Sequence, residues 1–234
     1  MFLQQCPNLE SVDFPNVQNV GSTSFSGCTS LITASLPEII TIEEKTFQGC
    51  TSLTTIDMDE VQFLKEDAFY GCSVLNNVFF PELTDIGAEA FTSCIALTEI
   101  DFPKAINIES SAFSSCSGLR IVRLETLENV AENLFQQLDA LEEAYLPSAK
   151  IVGENAFYNS NNFVKLELAT KPGVVLESIP KKILVWDYYN VDLTIGTLNT
   201  GFIFNDHMHR PILKVGDGEV NTFKTITQVS NETI

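Results

Sequence analysis

Six cysteines stand at positions 6, 28, 50, 72, 94 and 116, one every 22 residues without a slip. A fixed interval of this length requires one structural unit that is repeated and stacked, and this constrains the chain more than any other feature. Three residues before each cysteine the register holds Leu3, Phe25, Phe47, Phe69, Phe91 and Phe113, and it continues through Phe135 and Phe157 after the cysteines stop. Three residues after come Leu9, Leu31, Leu53, Leu75, Leu97, Leu119, Leu141 and Phe163. Two further apolar columns follow, from Val12, Ala34, Ile56 and Val78 to Leu166, and from Phe14, Leu36, Met58 and Phe80 to Leu168. Each unit therefore reads L-x-x-I-x-F.

The I-x-F stretch alternates at period two, which suits a short strand, and Pro15, Pro37, Pro81, Pro103 and Pro147 stop it. The stretch before each Phe carries alanine in several copies, as in Gly87-Ala88-Glu89-Ala90-Phe91, and suits a turn or a short helical or 3₁₀ segment on the opposite side. No unit of this size buries its own apolar columns, whereas stacking sets each Phe and Leu against its copy in the next coil and makes one continuous core. A parallel ladder with a spacing of about 4.8 Å should line one face, and eight coils should extend roughly 35 to 40 Å along it.

The pattern L-x-x-I-x-F-P…I-x-x-x-A-F-x-x-C resembles the BspA-like leucine-rich repeat family over residues 1 to about 170. The resemblance implies an α/β leucine-rich-repeat solenoid, curved and right-handed, with one short parallel strand per 22-residue coil and turns or short 3₁₀ or helical segments on the opposite face. It also implies a surface-exposed or secreted protein with a role in adhesion to host proteins, other microbes or epithelium, and it brings no enzymatic residues. Leu138 and Ser160 depart from the family's pattern at the cysteine position of the seventh and eighth repeats. Leu fills the same apolar slot.

Evenly spaced cysteines suggest a disulfide scaffold or a metal cluster in other contexts. Here they share one equivalent column and should form a ladder of buried free thiols. Bridges between adjacent coils need correctly directed Cβ vectors, and metal ligation needs ligands that converge on a point, whereas a column diverges along an axis.

The register weakens after Pro172, where apolar runs at Ile183 to Trp186, Gly201 to Phe204 and Ile212 to Val215 appear, the last followed by the turn signal Gly216-Asp217-Gly218. The segment from Ile212 to Lys224 is similar to the irregular terminal repeat common in the family, a strand followed by a short helical end. We expect residues 1–170 to form the eight coils, the first truncated, and 171–234 to form divergent repeats that make a C-terminal cap. The chain begins in mid-coil, as a fragment of a longer protein would. Its open first coil offers an edge for self-association.

Thirty-one acidic against thirteen basic side chains give a net charge of -18, which repels phosphate backbones and anionic lipid, so nucleic acid is not an expected partner. No apolar stretch approaches a membrane span of about 20 residues. Residues 1–110 hold sixteen acidic and three basic side chains and the remainder fifteen and ten, so the N-terminal half is the acidic one. It favours solubility, attracts basic partners and associates loosely at most with calcium, since no D-x-[DN]-x-[DN]-G loop is present. The two histidines, His207 and His209, stand two apart in Asn205-Asp206-His207-Met208-His209-Arg210, which reads as a surface loop. Neither G-x-S-x-G, H-E-x-x-H, G-x-G-x-x-G nor a P-loop is present, and no catalytic site or cofactor is expected. Asn231-Glu232-Thr233 fits a glycosylation acceptor.

Function then rests on the outward residue of each strand, the column Asp13, Ser35, Asp57, Phe79, Asp101, Arg123, Tyr145 and Glu167 on the face expected to be concave. Phe79 and Tyr145 place aromatics at a solvent-facing position and Arg123 lies between Asp101 and Tyr145, so Asp57, Phe79, Asp101, Arg123 and Tyr145 form the candidate protein-binding row, widened by Asn77, Glu99, Ile121 and Glu143. Aromatics on exposed strands also stabilise cross-strand neighbours, which is the simpler explanation of the same residues. The expected function is a non-enzymatic module of a cell-surface or secreted protein that binds a protein or other macromolecular ligand. The competing reading is a structural spacer or multimerising solenoid with no ligand of its own.

Overall fold

A computed structural model describes residues 3–160, 162 and 164–177, together with the backbone of strands Asp192–Ile195, Ile212–Val215 and Gly218–Val220. The I-x-F segments form the expected parallel strands on one face. Ser11–Asp13, Thr33–Ser35 and Thr55–Asp57 pair in one sheet, with Val12 opposite Ala34 and Ala34 opposite Ile56. Glu99–Asp101, Ile121–Arg123, Glu143–Leu146 and Lys165–Leu168 pair in a second sheet, again 22 residues apart. Asp192–Ile195 and Ile212–Val215 extend the second sheet in parallel, and Gly218–Val220 turns back antiparallel on its edge. The strand Ile212–Val215 falls where the sequence places it, while the runs Ile183 to Trp186 and Gly201 to Phe204 lie outside the described residues.

The expectation of one strand in every coil fails in the fourth. Residues 77–79 pair with neither neighbour, and the front ladder is interrupted between Thr55–Asp57 and Glu99–Asp101. The reason lies in Asn76-Asn77, which stands where the coil before has Thr54-Thr55. Asparagine is depleted in strands because its short amide side chain offers the backbone competing bonds. The inward residues beside the gap, Ile56 and Val78, are correspondingly only partly buried, whereas Ile100 and Val122 are fully buried.

A second row of two-residue parallel strands follows the turn after the front strand, at Thr41–Ile42, Phe63–Leu64, Asp85–Ile86 and Asn107–Ile108, and again at Asn129–Val130 and Ile151–Val152.

The opposite face corrects the α/β expectation. No helix or 3₁₀ segment occurs among the described residues, and the molecule is an all-β parallel solenoid. The backbone before each Phe alternates two kinds of hydrogen bond. In the coil of Phe47, the amides of Thr46, Gln48 and Cys50 donate to carbonyls three residues back, at 3.2, 3.2 and 3.1 Å. Those of Lys45, Phe47 and Gly49 donate to Glu66, Ala68 and Tyr70 of the next coil, at 3.0, 2.8 and 2.8 Å. A helix needs every amide bonded within its own turn and every φ right-handed. Here the column Thr23, Lys45, Asp67, Glu89, Ser111, Asn133 and Asn155 takes φ between 55° and 59°, which resets the turn each time. The alanines that suggest a helical turn instead accept ladder bonds, as Ala68, Ala90 and Ala112 do from Phe47, Phe69 and Phe91.

The core is a stack of phenylalanines. Rings of Phe25, Phe47, Phe69, Phe91, Phe113, Phe135 and Phe157 lie 5.2 to 5.9 Å apart in sequence, tilted by no more than 22°. That geometry is offset stacking and adds about 0.5–1.5 kcal/mol per pair beyond area burial. The cysteines are free, and those from Cys28 to Cys116 are buried beside the stack. Each of their thiols donates to the Phe-column carbonyl of the coil before, as Cys50 does to Phe25 at 3.1 Å and Cys72 to Phe47 at 3.1 Å. Ser160 keeps this bond through its hydroxyl, to Phe135 at 3.0 Å, whereas Leu138 supplies only apolar bulk.

Candidate binding face

The strand pleat turns alternate residues outward, so the front ladder sets Asp101, Arg123, Tyr145 and Glu167 in one row in direct cross-strand register. A parallel row two residues earlier holds Glu99, Ile121, Glu143 and Lys165. The two rows interlock around Tyr145. The guanidinium of Arg123 lies 5.6 Å from the centre of the Tyr145 ring, and the Lys165 ammonium lies 4.6 Å from it, so the phenol carries a cation from each neighbouring coil. The Tyr145 hydroxyl donates to Glu143, and the Lys165 Nζ reaches the same hydroxyl at 3.5 Å and Glu167 at 2.7 Å. These contacts set the local proton affinities. The bond to Glu143 raises the Tyr145 phenol above its ordinary value, and the bond to Glu167 raises Lys165.

Arg123 pairs with Glu99, diagonally placed on the neighbouring strand, and makes no ion pair with Asp101. Its long side chain leans along the strand to the flanking row and keeps its guanidinium over Tyr145. Of the five residues in the candidate row, Arg123 and Tyr145 therefore touch. Asp57 lies on the first sheet, where it accepts a hydrogen bond from Ser35 Oγ at 3.0 Å. Phe79 stands in the gap of the ladder and is 68% exposed. Lys165 is the member that sequence reasoning passed over. Its signal was the flanking column, which continues from Glu143 by one more coil.

Three further surface cations are used between coils. Lys104 pairs with Glu82 at 2.6 Å, Arg120 with Glu142 at 2.8 Å and Lys150 with Glu128 at 2.7 Å, each across one repeat. Among the described residues no helix is long and apolar enough to cross a membrane. His207, His209 and Asn231 lie outside the described residues.

The BspA type leucine rich repeat region matches this chain in six copies, over residues 1–119 and 41–164. No curated protein matches it. Among solved structures, the chain is similar to a leucine rich repeat protein of T. pallidum, with 29% identity and a TM-score of 0.62 over 66% of this chain and 78% of that one. It is also similar to a leucine-rich repeat protein from Bacteroides ovatus ATCC 8483, with 23% identity and a TM-score of 0.62. That match covers 91% of this chain and 52% of the other, so this chain spans about half of it. A leucine rich cell surface protein from Faecalibacterium prausnitzii A2-165 matches at 19% identity and a TM-score of 0.45, over 80% of this chain and 73% of that one.

Proposed function

Because this chain belongs to the BspA type leucine-rich repeat family, whose solenoid is a non-catalytic scaffold, we propose that it is the binding module of a cell-surface or secreted protein, adhering to host or microbial macromolecules through the front strand face. The observation that carries this reading is Tyr145 held between Arg123 and Lys165 on an otherwise acidic surface. Tyrosine and arginine dominate interface hot spots because they combine large contact area with a polar tip, and here both are fixed in place by neighbouring coils. In this reading residues 1–170 present the face, and 171–234 close the end of the stack as a divergent cap. The antiparallel return at Gly218–Val220 supports a cap, since it covers the edge of the parallel ladder.

The spacer alternative draws support from the coil-to-coil pairs Lys104–Glu82, Arg120–Glu142 and Lys150–Glu128, which spend surface charge on the solenoid itself. An array of extracellular-matrix and epithelial surface proteins, probed with the intact chain and with a variant carrying F79A, R123A and Y145A, separates the two. Saturable binding that disappears in the variant is the expected result. Binding that survives the three substitutions overturns the front row as the site, and no binding by the intact chain overturns the binding reading in favour of the spacer.

A further inference from the structure

Phe79 and Tyr145 occupy the same position of the repeat, three coils apart, and differ in what surrounds them. Tyr145 already holds two cations of its own chain, Arg123 and Lys165. Phe79 is 68% exposed, and among the described residues no cation lies over its ring. The residues one coil to either side at that position are Asp57 and Asp101, both exposed and neither in an ion pair among the described residues. The coils here are stacked at a spacing shown by the rings of Phe47, Phe69 and Phe91, 5.3 and 5.4 Å apart. An aromatic face thus sits between two carboxylates, with the strand pairing open around it.

We propose that Phe79, Asp57 and Asp101 together seat an arginine or lysine side chain presented by an exposed basic segment of a partner protein. The inference rests on the reading of the front row as a binding face and names the chemistry of what binds there. The face of a phenyl ring attracts a cation through its quadrupole, and a flanking carboxylate neutralises the charge as it is desolvated. Arginine suits the seat best, because its planar guanidinium stacks on a ring while its edge donates to a carboxylate. The setting adds to the attraction. Residues 1–110 carry sixteen acidic against three basic side chains, so the N-terminal half draws a basic segment towards this site before contact.

Fluorescence anisotropy on the full chain tests the seat, with a labelled short peptide carrying two arginines in a glycine and serine frame as the probe, and its citrulline counterpart beside it. The arginine peptide should bind and the citrulline peptide should not. Phe79→Ser should weaken binding about tenfold, whereas Phe79→Tyr, which keeps the ring, should stay within about twofold. Asp57→Asn with Asp101→Asn should weaken it by a similar factor, while Glu132→Gln with Glu154→Gln, an equal loss of charge on another face, should leave it within about twofold. Equal binding of the two peptides, no effect of F79S, or an equal loss in the E132Q/E154Q control overturns the seat. Peptide binding that depends on Phe79 alongside a silent macromolecule array supports the seat and overturns the wider adhesive reading. Array binding lost in the triple variant, alongside peptide binding that Phe79→Ser leaves unchanged, overturns the seat alone.

Discussion

The thiol of Cys94 donates a hydrogen bond to the carbonyl oxygen of Phe69 across 3.2 Å, tying a side chain of one coil to the backbone of the coil before it. The same carbonyl accepts the amide of Cys72 in its own coil at 3.1 Å, so one oxygen serves two coils. Cysteine fits this column because it is small enough for the gap beside the phenylalanine stack and still carries a donor. Cys94→Ala should therefore destabilise the chain by about 1–2 kcal/mol through the lost sulfur volume and the lost donor. Cys94→Ser, which reproduces the arrangement of Ser160 on Phe135, should cost less. Urea midpoints of the two variants check the order, and a greater loss for serine would deny the hydrogen bond any role.

Burial of the same column fixes its titration. Burial, with the Cys28 charge beside it, pushes the Cys50 thiol up to about 12 from an ordinary 9.0, and burial pushes Cys116 to about 12. Cys72 and Cys94 lie well above the ordinary value for the same reason. The folded chain holds these protons more tightly than the unfolded chain does. Their contribution to stability is therefore complete below pH 9 and is lost as the pH rises through 12, by at most about 1.4 kcal/mol per pH unit for each thiol. Urea midpoints measured from pH 8 to 10.5 should fall, and more shallowly in a C50S/C116S variant. At pH 8 a thiol reagent should reach the buried five only on unfolding.

Each coil also carries a second left-handed position, occupied by Gly27, Gly49 and Gly71 at φ of 70° to 72° and then by Ser93, Ser115, Gln137 and Asn159 at 58° to 63°. A Cβ in this conformation crowds the following carbonyl, a cost of about 1–2 kcal/mol that glycine escapes. Ser93→Gly should raise stability by about 0.5–1 kcal/mol, because the ladder bond from the Ser93 amide to Ser114 is untouched. Gly71→Ala should lower it by a similar amount. Thermal melts of the two variants should shift in opposite directions.

Repetition made most of this fold legible. A residue type that recurs in one column must meet the same surroundings in every coil, so the sequence alone places Phe47, Phe69 and Phe91 in the core. What periodicity hides is backbone conformation. Thr23, Lys45, Asp67 and Glu89 give no composition signal of a left-handed turn, so the alanines beside them suggest a helix that the structure lacks. Only the glycines of the second position hinted at it. On the candidate binding face the row itself was readable, because outward residues follow from the pleat, but the partner of Arg123 was not. Asp101 is its neighbour in the column, while the length of the side chain selects Glu99 on the diagonal. Beyond Leu168 the strand interval becomes 27 and then 20 residues, as Lys165 faces Asp192 and Asp192 faces Ile212, and a fixed register carries no information there.

The interruption at Asn77 makes the last prediction, because it separates local pairing from the integrity of the stack. Phe69 and Phe91 stay stacked 5.4 Å apart across the fourth coil, and the amide of Thr84 still reaches Gln62 at 3.0 Å, so core and second row are continuous where the front ladder is not. Amides of residues 77–79 should accordingly exchange with solvent faster than those of Ile121–Arg123, which lie between paired strands on both sides. Replacing Asn76 and Asn77 by threonine, as at Thr54 and Thr55, should restore pairing, slow that exchange and add about 0.5–1 kcal/mol. The same change should tighten the neighbours of Phe79 and reduce the room for a cation there, so exchange of residues 77–79 should slow and peptide binding should weaken together. Equal protection of the two segments in the unsubstituted chain would deny the open ladder, and exchange left unchanged by the threonines would show that asparagine is not what opens it.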